Sequence, residues 1–432
     1  MSGSDSFARQ EPRYRIRQVR LDSGFRIPML CRNDLPVYET AFWVVGDLLG
    51  NAYNTMESKL RSVGHFLTKY GDLNWTDRVQ SGKFLSPGET AEIQKWMGLA
   101  IHLHDPDQAI KQLRVQPHIK AARVAFLRQY LCWHAEGQIY AIQGSTQADV
   151  DRGYEKWLKR WKEMEGKEIT SEQPHTLKVG LTQAQRELLL TVIKPGHPQN
   201  PFIPKMQDRN YAIFMMLYEH GMRMSDVLSL YVEDIKLYNK SFLMVERKND
   251  PNETRKRIGG AKRQGRTARE RLLSQVSMNA LQQWLNGDRM DENTFPGATA
   301  SHYAFVSERW NPKHQRVNPL SVRRLSFLFE ILRTKFPAVR DGHRLVKVGF
   351  DPDFSPHDLR HDWCVRFVLS HHKDWTPHDD WTMRYEMGWT AKSKMPGFYA
   401  RIAWRDLGGK AVEKISAART YEALKLIEEM PF

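Results

Sequence analysis

The sequence predicts a mainly helical protein with a small antiparallel β-sheet, divided into an N-terminal helical domain and a C-terminal α+β domain. Apolar residues recur at helical spacing through much of the first 169 residues and again after residue 181. Three short strand candidates lie between residues 241 and 273. A chain of 432 residues is too long for one ordinary core, so two or three domains are expected.

The composition indicates a polyanionic partner. The net charge is +15, and clustered Lys and Arg release counterions from nucleic acid. The three cysteines lie far apart without metal-ligand spacing, so we expect a reducing compartment with neither a disulfide framework nor a zinc site. The N-terminus lacks the apolar stretch of a secretory signal, and no apolar run reaches the roughly 18 residues of a membrane span.

The N-terminal part is predicted to consist of an arm, residues 1–35, and a helical domain, residues 36–169. The arm contains a basic, strand-like run from Arg13 to Arg20 and is punctuated by Pro28 and Pro36. Apolar stripes predict helices over residues 56–70, 119–133 and 154–168. The stripes are typical of core packing, and the basic residues opposite them are DNA-binding candidates or simply a solvated face: Lys59, Arg61, Lys69, Lys120, Arg123 and Arg128.

Residues 170–180 have no apolar periodicity and are the predicted linker, so the second domain is expected over residues 181–432. Helices are predicted over 181–193 and 208–220, followed by strands over 241–245, around Ile258 and over 271–273. From Arg247 to Arg271 there are ten Lys or Arg against three acids, a local net charge of +7. This run is either a solvated charged hairpin or a binding site for an anion.

Two segments of the second domain carry candidate phosphate-binding groups. Ser355 and Pro356 are typical of a helix start, which places His357 and Arg360 three residues apart on one face. An imidazole and a guanidinium that point the same way suit a phosphate, although solvated polar residues at a helix start explain the pattern equally well.

The second segment places Arg223 in a glycine turn before a helix that Ser225 is expected to cap. Asp226, three residues later, can grip the guanidinium and set its orientation. The alternative is that Arg223 only caps the helix and pairs with Asp226.

Together these motifs resemble the tyrosine recombinase, or phage integrase, family over most of the second domain. The first arginine segment of the family, Gly-x-Arg-x-Ser-Glu/Asp-x-x-x-Leu, is matched by Gly221, Arg223, Ser225, Asp226 and Leu230. Its His-x-Leu-Arg-His box is matched by His357, Leu359, Arg360 and His361. Its Leu-Gly-His box appears as Met387-Gly388-Trp389, with a tryptophan that the family tolerates.

The resemblance also implies a nucleophile and a general acid. The family tyrosine lies nine or ten residues after the third box, which matches Tyr399, whereas Tyr385 fits no family position. Pro396-Gly397 is expected to break a helix just before Tyr399. The family lysine lies in a hairpin turn that matches Lys262, with Lys256 as a competitor and Arg263 and Arg266 as neighbouring DNA-binding candidates.

The implied activity is site-specific DNA strand exchange through a 3′-phosphotyrosine, as in integration, excision or transposition of a mobile element. Arg223, Arg360, His357 and Trp389 would stabilise the charge on the non-bridging oxygens, with His357 as base, Lys262 as acid, and Asp226 and His361 in support. No acidic pair or His/Cys cluster has ligand spacing, so we expect no metal and no other cofactor.

The implied architecture is a two-domain clamp on double-stranded DNA, in which the N-terminal domain is the core-binding domain of the family. Four protomers would assemble on two DNA sites, with one or two protomers per site and accessory recombination proteins as further partners. An apolar stripe over residues 412–427 either packs on its own domain or is lent to a neighbouring protomer. The expected location is the cytoplasm of a prokaryote, at the nucleoid and not at a membrane.

Two other functions remain open at the level of sequence. The same chemistry serves a type IB topoisomerase or a hairpin resolvase, which break and rejoin DNA without recombining two sites. A DNA-binding protein that has lost catalysis belongs to a different class, and the complete set of motifs argues against it.

Overall fold

The computed structural model divides the chain into two compact units, Met1–His175 and Thr176–Phe432. It describes residues 14–22, 25–100, 114–142, 145–169, 180–245, 255, 269–341, 344–371 and 375–403. Helices predominate and the sheets are small and antiparallel, so the fold class predicted from the sequence is confirmed. None of the helices in the described ranges combines the length and the apolar character needed to cross a membrane.

The first unit opens with a three-stranded antiparallel sheet formed by β1 (Tyr14–Arg20), β2 (Arg26–Arg32) and β3 (Leu35–Pro36). The basic run therefore forms a strand, as its alternation predicted. Pro28, expected to interrupt the arm, instead lies within β2 opposite Gln18. The sheet packs on the helices that follow, and Tyr14 and Leu30 are buried in their core.

The rest of the first unit is a helical bundle that contains the predicted apolar stripes. Trp43, Trp75, Trp157 and Trp161 are among its buried core residues. Ser86 caps one helix with a reciprocal pair of hydrogen bonds to Glu89, which defines the start of that helix. The helices are α1 (Tyr38–Trp43, continued by a π-helical turn over Val44–Leu48), α2 (Tyr53–Tyr70), α3 (Trp75–Gln80), α4 (Pro87–Met97), α5 (Pro117–Tyr140) and α6 (Ser145–Ile169).

The second unit surrounds one large apolar core with helices and small sheets. Its helices are α7 (Gln183–Val192), α8 (Gln207–His220), α9 (Met224–Leu228), α10 (Gln275–Asn286), α11 (Val322–Lys335), α12 (Pro356–His371) and α13 (Pro377–Met387). Its strands are β4 (Ile235–Lys236), β5 (Ser241–Met244), β6 (Arg269–Leu272), β7 (Val306–Asn311), β8 (Arg316–Pro319), β9 (Val339–Asp341) and β10 (Arg344–Lys347). The predicted helices and the first and last predicted strands are present, and Ile258 lies outside the described residues.

Two features of this unit position the candidate site. Strands β4, β5 and β6 form one antiparallel sheet, and the basic run of the sequence begins after β5 and ends within β6. A second apolar cluster joins α12, α13 and the helical residues 395–403, and it contains Cys364, Met387 and Tyr399. Arg360, Trp389 and Tyr399 lie where this cluster meets the C-terminal end of α8, close to the turn that contains Arg223.

Candidate active site

Arg223 lies in a tight turn between α8 and α9. Gly221 ends α8 in the left-handed region, with φ of 54°, and a side chain there would approach Trp363 within 3.0 Å. Arg223 is the N-cap of α9, so the expectation that Ser225 caps this helix is wrong. The Arg223 backbone N–H donates to the Asp226 carboxylate at 3.3 Å, and the guanidinium lies 4.0 Å from the same carboxylate.

Helix α12 begins where its sequence predicted, at Pro356. The backbone N–H and the hydroxyl of Ser355 both donate to Asp358 at 2.8 Å, which fixes the start of the helix. His357 is exposed, whereas Arg360 is only 3% exposed. Residues three apart on a helix lie about 60° apart around its axis, so the two side chains share a face, with His357 towards its exposed edge and Arg360 towards its buried edge.

The Arg360 guanidinium connects two other segments of the site. Nη1 donates to the carbonyl of Gly221 at 2.6 Å, and Nη2 donates to the carbonyl of Met387 at 2.6 Å. Burial, followed by repulsion from Arg223, lowers the pKa of Arg360 to about 10, so the group remains a cation at neutral pH. Arg360 thus ties the turn that precedes Arg223 to the turn that precedes Trp389.

Trp389 follows directly after the end of α13. Gly388 adopts a left-handed conformation, with φ of 61°, and ends the helix. The Trp389 backbone N–H donates to the Arg384 carbonyl at 2.9 Å. The indole is half-buried, and the Arg360 guanidinium carbon lies 5.7 Å from the centre of its ring.

Tyr399 lies in the second turn of a helix that begins at residue 395. Pro396 and Gly397 belong to the first turn, so the expected helix break before Tyr399 is wrong. Proline is tolerated there because the first N–H groups of a helix have no intrahelical partner. Tyr399 is 1% exposed, its ring stacks on the Trp389 ring with the centres 5.7 Å apart, and the centre of the His361 ring lies 5.3 Å from the centre of the Tyr399 ring.

The environment of the Tyr399 hydroxyl opposes its ionisation. Burial raises the pKa of Tyr399, and its interaction with the Cys364 thiol raises that pKa further, whereas Arg360 and Arg223 lower it. Burial also raises the pKa of Cys364 to about 12, so the thiol is neutral. Sequence reasoning missed Cys364, although its place one helical turn after Arg360 could have indicated it.

The His361 ring contacts the Tyr399 ring. The His361 ring also packs edge-to-face on His357, with the ring centres 4.4 Å apart. His357, the predicted base, therefore lies next to the histidine that contacts the phenol ring.

Tyr385, the tyrosine that fits no family position, donates its hydroxyl to the Glu270 carbonyl at 3.0 Å and stacks on Trp381.

Residues 180–373 match the model of the phage integrase family. This segment is a phage integrase domain. The resemblance predicted from the motifs is thereby confirmed for a segment that includes Arg223, His357 and Arg360 and ends before Trp389 and Tyr399.

Solved structures of recombinases are similar to the chain at low identity. The Tn1549 transposon integrase in complex with a circular intermediate DNA has 15% identity over 64% of this chain and 80% of that chain, with a TM-score of 0.38. XerA recombinase has 13% identity over 86% and 96%, with a TM-score of 0.35. XerH site-specific recombinase bound to a palindromic difH substrate has 14% identity over 83% and 88%, with a TM-score of 0.40. No curated protein matches the sequence.

The segment between β5 and β6 contains four further predicted site residues. Lys256, Lys262, Arg263 and Arg266 lie outside the described residues. Arg255, in the same segment, is 8% exposed and donates to the carbonyls of Leu228 and Leu320 at 3.0 and 2.8 Å. The Arg255 side chain is therefore bound to the core at two places, the end of α9 and the residue that follows β8.

The DNA-binding candidates of the helical unit differ in exposure. Lys69 is exposed and lies over the rings of Tyr70 and Trp96. Arg61 pairs with Glu57 at 2.6 Å, and Lys120 is half-buried. These residues remain candidates for contacts to a phosphate backbone.

Three other basic side chains of this unit are engaged within it. Lys59 is 9% exposed, and burial lowers its pKa, so it does not lie on the outer polar face as expected. Arg123 donates to the Leu99 carbonyl at 2.7 Å, and Arg128 pairs with Glu165 at 2.8 Å. Amphipathic spacing placed these residues opposite the apolar stripe but did not show which neighbouring helix covers them.

Metal ligands were not expected from the sequence. In the ranges that the structure describes, no group of three or more His, Cys, Asp or Glu side chains is arranged to hold a metal ion.

Proposed function

We propose that the protein is a site-specific DNA recombinase that cleaves and rejoins DNA strands through a covalent bond to Tyr399. One observation carries the proposal. Within and beside a phage integrase domain, Arg360 holds together the turns that precede Arg223 and Trp389, and Tyr399 stacks on Trp389. Two guanidinium groups and a phenol are therefore neighbours, and both arginines act on the Tyr399 hydroxyl electrostatically.

The first step is an in-line displacement at the scissile phosphorus. The Tyr399 oxygen forms a bond to phosphorus, and the bond from phosphorus to the 5′-oxygen breaks. The transition state gathers negative charge on the non-bridging oxygens, where Arg223 and Arg360 donate hydrogen bonds with help from His357 and the Trp389 indole N–H. Loss of one such contact typically costs about 10²–10³ in rate.

Two proton transfers accompany this displacement. His357 takes the phenol proton, and Lys262 gives a proton to the departing 5′-oxygen. His361 contacts both His357 and Tyr399, so it supports His357 and is itself a second candidate for the base. Lys256 is the alternative to Lys262. Tyr399 is 1% exposed, so DNA binding has to uncover it before attack.

The second step reverses the first with a different strand. A 5′-hydroxyl attacks the phosphotyrosine, the strand is rejoined, and the proton returns to Tyr399. The covalent bond conserves the energy of the phosphodiester, so ATP is not required. Arginines supply the positive charge that a divalent ion supplies in other phosphoryl transfers, so we propose a reaction without metal.

Four protomers are proposed to act together in the cytoplasm of a prokaryote. Strand exchange between two duplexes requires several active sites, which four protomers on two DNA sites provide. We propose that the protein binds double-stranded DNA as a clamp. Residues 404–432, which contain the apolar stripe expected to pack in one protomer or its neighbour, lie outside the described residues. We place the reaction in the prokaryotic cytoplasm, on a mobile element.

Covalent trapping tests the proposal. Footprinting on DNA that flanks the protein's own gene first locates a bound segment. A duplex of that segment with a nick beside the cleavage position then loses the short 5′-hydroxyl fragment on cleavage, so the adduct accumulates. We expect an adduct that Tyr399→Phe abolishes and Tyr385→Phe preserves. An adduct that survives Tyr399→Phe contradicts the assignment of the nucleophile.

A plasmid with two copies of the bound segment separates recombination from the related reactions. Recombinant junctions support the proposed function. Relaxation or hairpin ends without junctions indicate a topoisomerase or a hairpin resolvase, and binding without any adduct indicates a protein that has lost catalysis.

A further inference from the structure

Two arginines connect the same two segments of the catalytic unit. Arg360 links the carbonyls of Gly221 and Met387. Arg271 links His220 and Glu386, the residues immediately before Gly221 and Met387. It donates to the His220 carbonyl at 2.8 Å and to the Glu386 carboxylate at 2.5 Å. The second link comes from a different element, strand β6, and has no role in the chemistry proposed above.

The Arg271 guanidinium is enclosed by protein. The residue is 4% exposed, and the guanidinium lies over the ring of Phe242 with its carbon 5.6 Å from the ring centre. The Glu386 side chain is 25% exposed. A buried guanidinium with one carbonyl and one carboxylate acceptor is held in a defined geometry, because loss of either acceptor leaves donors unsatisfied.

The two segments that these arginines connect carry phosphate-binding groups. His220 lies three residues before Arg223, and Glu386 lies three residues before Trp389. A single bridge fixes one distance between the segments but allows them to rotate about it. Two adjacent bridges, made by Arg360 and Arg271, also oppose that rotation.

We propose that Arg271 is a positioning residue that holds Arg223, Arg360 and Trp389 in the arrangement that binds the scissile phosphate. This inference rests on the proposed function, since it assigns Arg271 a part in that reaction. Arg271 touches neither DNA nor the reacting atoms. It acts through the cations and the indole, and their misplacement by about 1 Å is enough to lower the rate about 100-fold.

A neutral substrate distinguishes this role from a purely structural one. In a methylphosphonate, a methyl group replaces one non-bridging oxygen, so the reacting centre has no net charge and needs less help from placed cations. We expect Arg271→Met to slow adduct formation on the ordinary phosphodiester about 10- to 100-fold. On a matched duplex with a methylphosphonate at the cleavage position, the same substitution should lower the rate of adduct formation less than about threefold.

Arg209 offers a matched control. It is 1% exposed, donates to the Val306 carbonyl at 3.0 Å, lies 3.4 Å from the Glu308 carboxylate and is placed over the ring of Phe295 at 5.8 Å. Apart from the Asn210 amide oxygen, which accepts from Nε and Nη2 of Arg209, these are the same kinds of partner that Arg271 has, on segments without phosphate-binding candidates. Arg209→Met should change adduct formation on both substrates by the same factor.

Milder variants keep the test informative if Arg271→Met does not fold. Arg271→Lys retains the charge but cannot reach two acceptors as a planar fork, so it should show the same difference between substrates at smaller amplitude. Glu386→Gln keeps an oxygen acceptor for Arg271, so this variant should form the adduct at most of the original rate on both substrates.

The outcomes separate this inference from the proposed function. No adduct with the unchanged protein overturns the proposed function and the inference with it. A normal adduct with the unchanged protein, together with equal losses on the two substrates in folded Arg271→Met or Arg271→Lys, overturns the inference alone. An Arg271 variant with unchanged rates on both substrates also overturns it.

Discussion

The indole of Trp389 and the phenol of Tyr399 lie nearly parallel, with an angle of 8° between the rings and 5.7 Å between their centres. The Arg360 guanidinium carbon is also 5.7 Å from the centre of the Trp389 ring. Trp389 therefore contacts both the candidate nucleophile and a candidate phosphate-binding cation. Its apolar surface sets the position of Tyr399, and its N–H remains a donor that does not ionise.

Substitution of Trp389 should separate these two contributions. Trp389→Ala removes the ring that Tyr399 stacks on, and we expect a loss of about 2–3 kcal/mol in unfolding free energy, less than for a fully buried tryptophan. Trp389→Phe keeps an aromatic surface but lacks the N–H. We expect it to keep most of the stability and to lose about 10-fold or more in adduct formation. Urea unfolding and covalent trapping measure the two quantities, and equal stability in both variants would contradict the packing role.

Arg360 contributes to folding as well as to the proposed chemistry. Arg360→Met leaves the carbonyls of Gly221 and Met387 without their guanidinium donor, and each loss costs about 1–3 kcal/mol in unfolding free energy. Arg360→Lys can serve one carbonyl but not both, so we expect an intermediate stability. Adduct formation should fall at least about 100-fold in both variants. A lysine variant with wild-type adduct formation would show that the bidentate geometry is unnecessary.

Much of the fold followed from local rules, whereas side-chain direction did not. Ser355 and Pro356 predicted the start of α12 because capping and proline geometry depend on a few neighbouring residues. The burial of the Arg360 side chain depends on the carbonyls of Gly221, 139 residues before it, and Met387, 27 residues after it. No periodic pattern in the sequence contains that information. The prediction of a helix break at Pro396 is wrong for a related reason: proline breaks a helix interior but is tolerated in the first turn, and only the tertiary fold sets where that helix starts.

His220 predicts a pH dependence for the stability of the second unit. Burial, with a smaller contribution from Arg271, lowers the pKa of His220 to about 3, and its Nε2 lies 2.9 Å from the Ser277 hydroxyl. The unfolded chain takes up the proton near pH 6.5. The stability from the neutral imidazole is therefore fully present above that pH and is lost as the pH falls towards 3, by up to about 1.4 kcal/mol per pH unit.

His220→Gln should remove this contribution and flatten the dependence of unfolding free energy on pH between 6.5 and 4. His314→Gln is the matched control, because His314 is exposed. Urea unfolding at several pH values measures the slopes. Parallel slopes for His220→Gln and the unchanged protein would contradict a neutral, buried His220.

Lys69 and Lys59 provide a test of which basic side chains of the helical unit reach DNA. Lys69 is exposed, whereas Lys59 is 9% exposed with its ammonium 5.8 Å from the centre of the Trp43 ring. Each phosphate contact made by a lysine releases about 0.9 counterion on binding, and affinity therefore falls as salt rises. Removal of that lysine reduces the magnitude of the negative slope of log affinity against log salt by about 0.9. Lys69→Gln should reduce the magnitude of the slope by up to about 0.9 and weaken binding to all sequences alike. Lys59→Met should leave that slope unchanged because a buried ammonium meets no phosphate.

Fluorescence anisotropy with a duplex from the flanking DNA, titrated at several salt concentrations, gives the slopes of both variants. A slope of smaller magnitude for Lys59→Met would contradict the prediction and place that side chain at the DNA.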